Sequence, residues 1–299
     1  MRSTGTLLCV GSAAGFGAMA VFGKLAYDNG ATVGTLLAVR FALAAALFWA
    51  LVFADGSARD LRSLGRGDIA LALALGACGY AAQAGCFFAA LDRIDASLLS
   101  LVLYTFPGMV AVAAIVLGRE RADSRRLGAL GLASGGLVLV LLTAKAGSLD
   151  PIGTALALTA AVVYTNYILV SEGIAARLRP GLLSALVCTG AAVSLTLGSA
   201  ALGDLHPGEV TAAGWGWLAG IAVVSTVAAV SLFFAGLKRV GPTTASILST
   251  VEPVVTVVLA FLVFGELLGV LQLLGGALVI AAVLVLASYR PREATGAAA

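Results

Sequence analysis

Ala96–Glu120 reads ASLLSLVLYTFPGMVAVAAIVLGRE, and Thr243–Glu266 reads TTASILSTVEPVVTVVLAFLVFGE. At the offset of 146 that separates Pro107 from Pro253, Ser100 falls on Ser246, Ala114 on Ala260 and Glu120 on Glu266. The flanks agree as well: Leu91 falls on Leu237 and Arg93 on Arg239. Matches of Leu and Ala between apolar helices carry little weight, whereas Pro and Glu matching at one offset carry more. A polar stripe is also kept. Ser97, Ser100 and Tyr104 correspond to Thr243, Ser246 and Thr250, both with the i, i+3, i+7 spacing of one helix face. The chain therefore contains an internal repeat, and both copies are apolar enough to cross a bilayer.

The rest of the sequence agrees. Of 299 residues, 61% are hydrophobic and 11% charged, against about 45–50% and about 25% in soluble domains. A mean hydropathy of +1.06 excludes a water-soluble enzyme, a DNA-binding module and a disordered chain, because monomers rarely expose that much apolar surface. A net charge of +3 is too small to argue for nucleic acid.

A crossing of about 30 Å of hydrocarbon takes about 20 apolar residues, and ten such runs are present. They span 6–27, 34–54, 68–91, 96–117, 127–144, 152–171, 181–202, 213–236, 243–264 and 269–289. The connections are short and the apolar character is continuous rather than alternating, so the expectation is an all-α membrane protein. Arg2 and Ala18-Met19-Ala20 imitate a signal peptide, but the first run continues through Phe22 and is longer than a signal core. Cys9, Cys78, Cys86 and Cys188 all fall inside the runs without metal or disulfide spacing, so they read as packing residues.

Lysine and arginine set the orientation. With the N-terminus inside, fourteen of the eighteen basic residues fall in inner segments, from Arg2 to Arg292. Only Arg93 and Lys145 fall outside, and Lys24 and Arg40 lie within runs. The positive-inside rule then places both termini in the cytoplasm. Trp215 and Trp217, at the outer start of the eighth run, suit an interfacial aromatic belt.

Five crossings per repeat is an odd number, so the second half enters the membrane upside down. The sequence predicts a first five-helix repeat over 1–146, a second over 147–290 and a cytoplasmic tail over 291–299. Inverted halves are a common secondary-transporter plan, with the site near the midplane between them.

Candidate site residues follow from what hydrocarbon tolerates. Pro107 and Pro253 are the only prolines deep in helices, and they correspond. Each removes a backbone hydrogen bond and bends its helix, and paired interruptions point to the site. Glu252 is the only carboxylate near a helix centre, where such groups are functional by default. It is open to three roles: binding a ligand ammonium, carrying a proton, or capping backbone freed by Pro253. Tyr80 and Gln83 share a face with Phe87. Tyr104, Tyr164, Asn166 and Tyr167 are further polar groups at depth that need partners, as are Ser246 and Thr250 on the repeated stripe. Aromatic walls with a few amides suit an amphipathic organic solute better than a bare ion. Lys24 and Arg40 are candidates for gating; Lys24 is also placed to pair with Asp28 one turn on. Gly11-xxx-Gly15, Gly131-xxx-Gly135 and Gly216-xxx-Gly220 permit close helix approach. No residue reads as catalytic, and no metal or cofactor is expected. Tyr27-Asp28 and Gly65-Arg66-Gly67-Asp68 imitate an intramembrane aspartyl protease, but their carboxylates are expected on opposite faces. The only histidine, His206, is in a loop.

The twin "P…GE" segments, the Glu252-Pro253 pair, GFGAMAVFGK over Gly15–Lys24 and LLAVRFALA over Leu36–Ala44 resemble the EamA-type branch of the drug/metabolite transporter superfamily. Phe16 stands where a tryptophan is common, and Arg119 replaces the glycine before Glu120. The resemblance covers nearly the whole chain. It implies ten helices in two inverted five-helix repeats around a central cavity, in a bacterial inner membrane. It also implies export or exchange of small metabolites, with amino acids, including aromatic ones, foremost. The alternatives are an uncoupled facilitator and an exchanger of another metabolite class. The expected partners are a small-molecule substrate and the lipid bilayer, and monomer and homodimer are equally open.

Overall fold

A computed structural model describes residues 2–62, 64–118, 124–142 and 150–287. The described residues are helical and contain no strand. Ten rods follow in order: α1 (Arg2–Gly17 and Met19–Tyr27), α2 (Val33–Ala54), α3 (Arg66–Leu91), α4 (Ala96–Leu103 and Phe106–Val116), α5 (Ser124–Leu142), α6 (Pro151–Ala175), α7 (Pro180–Ala201), α8 (Ala212–Val240), α9 (Pro242–Ser249 and Val251–Phe264) and α10 (Val270–Ala287). Among the described residues, eight stretches are long and apolar enough to cross a membrane. The apolar parts of α5 and α10, Leu127–Leu142 and Val270–Leu286, are shorter.

The helices start and stop for local reasons. Thr32, Asp150 and Thr211 cap α2, α6 and α8 by accepting hydrogen bonds from the amides of Thr35, Gly153 and Gly214, which satisfies one of the orphan donors at each N-terminus. Two of the rods are interrupted near a proline. A proline lacks the N–H that would reach the carbonyl four residues back, and its ring crowds that carbonyl. The first part of α4 ends at Leu103, four residues before Pro107, and the first part of α9 ends at Ser249, four before Pro253.

Two further interruptions were not foreseen. Leu75–Tyr80 in α3 and Val223–Ala228 in α8 are π-helical, each six residues long. They occupy corresponding positions in the two halves. A π segment admits one extra residue per turn and is frequent at functional sites. Each contributes a side chain, Tyr80 or Thr226, to the central cavity.

Packing follows a pattern of exchange. α2 lies along α7, α5 along α10, α1 along the second part of α8, and α3 along α6. Each pair joins one helix from the first five with one from the second five. The close approaches are not at most of the expected glycine pairs. Gly15 does meet Ala229 of α8, but Gly131, Gly135 and Gly216 face open space. Instead, Gly136 and Gly275 bring α5 and α10 together. A Cβ on either would lie under 2.8 Å from the other's carbonyl oxygen, and without a hydrophobic force between helices such contact supplies the association. Phe41, Phe48, Phe88, Leu36 and Leu218 are fully buried in the main core. Cys9 and Cys188 are buried as packing residues, Cys86 is half-buried and Cys78 exposed, all as free thiols.

Loop contacts sort into two ends. At one, Arg93 faces Asp150 at 3.7 Å, Thr32 bonds the Asp204 carbonyl and Thr211 bonds Asn29. At the other, Arg177 pairs with Asp68 at 3.1 Å and Arg179 with Asp60 at 3.0 Å.

Candidate functional site

Between the two sets of five helices lies a cavity of about 590 Å³. Its lining draws on both proline-broken helices and both π segments: Tyr104 and Pro107 from α4, Ser249 and Glu252 from α9, Tyr80 from α3 and Thr226 from α8. Tyr164 and Tyr167 join them from α6. The aromatic rings form a continuous wall. Tyr104, Phe106, Tyr164, Tyr167 and Tyr80 follow one another at centroid separations of 5.9, 4.6, 6.3 and 5.7 Å. A second hollow of about 90 Å³ shares Phe16, Tyr80, Tyr164 and Glu252 with the first, and adds Arg40, Gln83 and Ser100.

The consequence of Pro253 is specific. Its missing N–H leaves the Ser249 carbonyl without its helical donor, and the Tyr104 hydroxyl donates to that carbonyl at 2.5 Å. A tyrosine on the broken helix of one half thus repairs the break in the other. Glu252 is not the cap: its Oε2 lies 3.3 Å from the same hydroxyl, whose single hydrogen is already directed at Ser249. Directly behind Glu252, α1 crosses α9 at Gly17, where a Cβ would stand 2.7 Å from the Glu252 carbonyl. Thr256 donates to the Gly17 carbonyl at 2.9 Å and locks the crossing.

Arg40 is 2% exposed. Its Nε donates to Thr226 at 3.1 Å and its Nη2 to the Tyr80 hydroxyl at 3.4 Å, and its guanidinium lies over the rings of Phe41 and Phe88. Thr226 in turn donates to the Ile221 carbonyl five residues back, inside the π segment. Arg40 is therefore held rigidly by neutral partners.

The Lys24 end is tied together. Lys24 Nζ meets Glu266 at 2.8 Å and Asp95 at 3.8 Å. It does not pair with Asp28, because α1 and α9 converge there and bring a stronger partner. Glu266 also accepts hydrogen bonds from the Ala96 and Ser97 amides and the Ser97 hydroxyl at 3.1, 3.0 and 2.8 Å, so it caps the N-terminus of α4. Burial alone would raise its pKa, but the Lys24 and Ser97 hydrogen bonds hold it below the usual carboxylate value. Asp95, partly buried and beside the negative Glu266, is raised. At the opposite end the cavity adjoins a hollow of about 570 Å³ that shares Phe48, Pro180, Ser184, Val230 and Phe234 with it. Asp55, Arg179, Lys238 and Arg239 rim this hollow.

Of the residues expected at the site, Tyr80, Tyr104, Tyr164, Tyr167, Glu252 and Pro107 line the main cavity and Gln83 the smaller hollow. Asn166 does not join them: it is exposed and donates to the Val162 carbonyl of its own helix. Thr250 is buried with its hydroxyl on the Ile247 carbonyl, and Pro253 is buried behind the wall. The Ser246 side chain and Glu120 lie outside the described residues. Phe16, Phe106, Phe233 and Phe234 line the cavity unforeseen, since an apolar ring inside an apolar helix carries no polar signal.

A solved crystal structure, 20% identical, superposes with a TM-score of 0.65 over 95% of this chain and 96% of its own, which establishes the fold. The uncharacterized transporter YcbK of Bacillus subtilis (strain 168) is 27% identical over 279 residues, covering 91% of this chain and 89% of its own. An uncharacterized transporter of Archaeoglobus fulgidus is 29% identical over 225 residues, 75% of this chain and 78% of its own. The profile of the EamA-like transporter family matches residues 3–142 and again 151–288, and the chain belongs to that family.

Proposed function

We propose that this transporter moves small amphipathic metabolites, amino acids and aromatic ones foremost, out of a bacterial cell by alternating access between two inverted five-helix halves. The observation that carries this reading is the asymmetry of the central cavity. It adjoins a basic-rimmed hollow at one end, while toward the other Glu266, Lys24 and Ser97 tie α9, α1 and α4 together. A continuous pore would not need an ion-paired tie between helices toward one mouth. The positive-inside rule puts the Arg179, Lys238 and Arg239 end in the cytoplasm, so the conformation is inward-facing, with both chain termini cytoplasmic in the inner membrane.

Three features support two inverted halves: the family match repeats, the proline breaks and π segments recur at corresponding positions, and each major helix pair takes one member from each half. Closure of the Arg179 end and release of the Lys24 end would expose the same aromatic wall to the other side. The lining is mostly apolar and aromatic, with tyrosine hydroxyls, Ser184, Ser249, Thr226 and Glu252 as its polar groups, which suits an organic side chain better than a hydrated ion.

Reconstitution into sealed proteoliposomes with a panel of labelled amino acids, with and without a pH gradient, tests the reading. It predicts saturable flux that discriminates between side chains. Linear, non-selective flux would establish the uncoupled facilitator instead, and saturable flux indifferent to the gradient would remove proton coupling.

A further inference from the structure

We propose that Arg40 and Glu252 are the two poles of a single binding site for a small zwitterion: the guanidinium takes the ligand's anionic group and the carboxylate its cationic group. The inference rests on the transporter reading and specifies the recognition chemistry at its cavity.

Both side chains line the same 90 Å³ hollow, whose volume is that of about three waters. Among the described residues, no carboxylate lies within ion-pair distance of Arg40, and no lysine or arginine within that distance of Glu252. Every other partner of the two is neutral: Thr226, Tyr80 and two phenyl rings for Arg40, and Tyr104 for Glu252. A buried charge without a counter-charge is costly, and mutual pairing would relieve both, yet the helices hold them apart across the hollow. A ligand with one positive and one negative group supplies both missing partners at once. A cation alone satisfies only Glu252, and an anion only Arg40.

The surroundings agree. Gln83 and Ser100 line the same hollow as neutral hydrogen-bonding groups. Arg40 is fixed by the π segment of α8 through Thr226, and a planar, preorganised guanidinium suits a carboxylate. Phe16, Tyr80 and Tyr164 form the wall shared with the 590 Å³ cavity. A charged head in the small hollow thus leaves its apolar substituent facing the aromatic chain.

Binding in lipid nanodiscs and flux in proteoliposomes are measured for L-phenylalanine, for 2-phenylethylamine, which lacks the carboxylate, and for 3-phenylpropionate, which lacks the amine. L-leucine, isoamylamine and 4-methylpentanoate form a second series. In the wild type each zwitterion binds at least tenfold more tightly than either singly charged analogue. Glu252→Gln removes the preference over the acid, and Arg40→Gln removes the preference over the amine. Because Arg40 is buried, Arg40→Lys accompanies it: it keeps the positive charge and restores part of the discrimination. Thermal melting confirms that each variant is folded. Equal binding of zwitterion and amine, equal binding of zwitterion and acid, or no binding of either series at millimolar concentration overturns the proposal. Charge-selective binding without flux upholds the two-pole site while refuting the transport reading. Flux indifferent to the missing charge upholds transport and refutes the site.

Discussion

Glu252 and Glu266 sit fourteen residues apart on one stretch of chain, and their surroundings are opposite. Glu266 has a lysine at 2.8 Å and three hydrogen-bond donors from the start of α4. Glu252 has one tyrosine hydroxyl whose hydrogen is committed elsewhere. A carboxylate with all its partners in place holds two helices together. One left without them in a cavity is available to something that arrives. The same residue type, once within α9 and once just past its end, is fully partnered at Glu266 and left without a counter-charge at Glu252.

The largest expected effect is at Glu252. Glu252→Gln should lower flux more than tenfold while membrane insertion and melting temperature stay near wild type, because no partner inside the protein loses a counter-charge. Wild-type kinetics in that variant would erase the contrast. Glu266→Gln should act oppositely and mainly on stability. It strands Lys24 and weakens the α4 cap, at a cost of about 2 kcal/mol on the scale of hydrogen bonds to charged groups. It should also open the Lys24 end, read, in a chain with its native cysteines replaced, as faster reaction of an impermeant thiol reagent with a cysteine introduced at Leu103, which lines the smaller hollow.

Tyr104→Phe comes next. It leaves the Ser249 carbonyl without a donor, a loss of about 1–3 kcal/mol for a buried acceptor, and should lower the melting temperature without altering charge selectivity. Acidification gives a smaller effect. The folded pKa of Glu266 lies below its ordinary value, so its contacts are at full strength above about pH 4.5 and weaken as pH falls through the depressed value. Asp95 and Lys24 are the charged groups facing it, and burial together with the negative Glu266 raises Asp95. The melting temperature should therefore hold above about pH 4.5 and fall as pH drops below it. Asn166→Ala should change neither flux nor stability by more than about 0.5 kcal/mol, as for exposed positions elsewhere, since its amide serves only its own helix.

The sequence disclosed what is costly in hydrocarbon. Pro107, Pro253, Glu252 and the buried tyrosines stand out because each demands a partner that lipid cannot provide, and the repeat made the two prolines legible as a pair. Partners distant in sequence were not legible. Nothing in α1 indicates that Lys24 meets Glu266, 242 residues away, and local spacing suggested Asp28 instead. The π segments escaped notice because their residues, LGACGY and VVSTVA, are ordinary for apolar helices and the widened turn is imposed by packing. Of the glycine pairs, Gly11 and Gly15 do lie against α8, whereas Gly131, Gly135 and Gly216 face open space. GxxxG marks a smooth helix face but not which neighbour lies against it, and the true contact between Gly136 and Gly275 has no sequence signal of its own.

The central claim is that the cavity opens on one side at a time and that its opening responds to solute. In a chain with its four native cysteines replaced, Phe234→Cys places a single thiol where the cavity and the basic-rimmed hollow share a wall. In sealed vesicles of defined orientation, an impermeant maleimide should label it from the face carrying the chain termini, and saturating substrate should slow that labelling. Labelling from the opposite face in the absence of substrate, or from both faces at equal rates, would contradict the account.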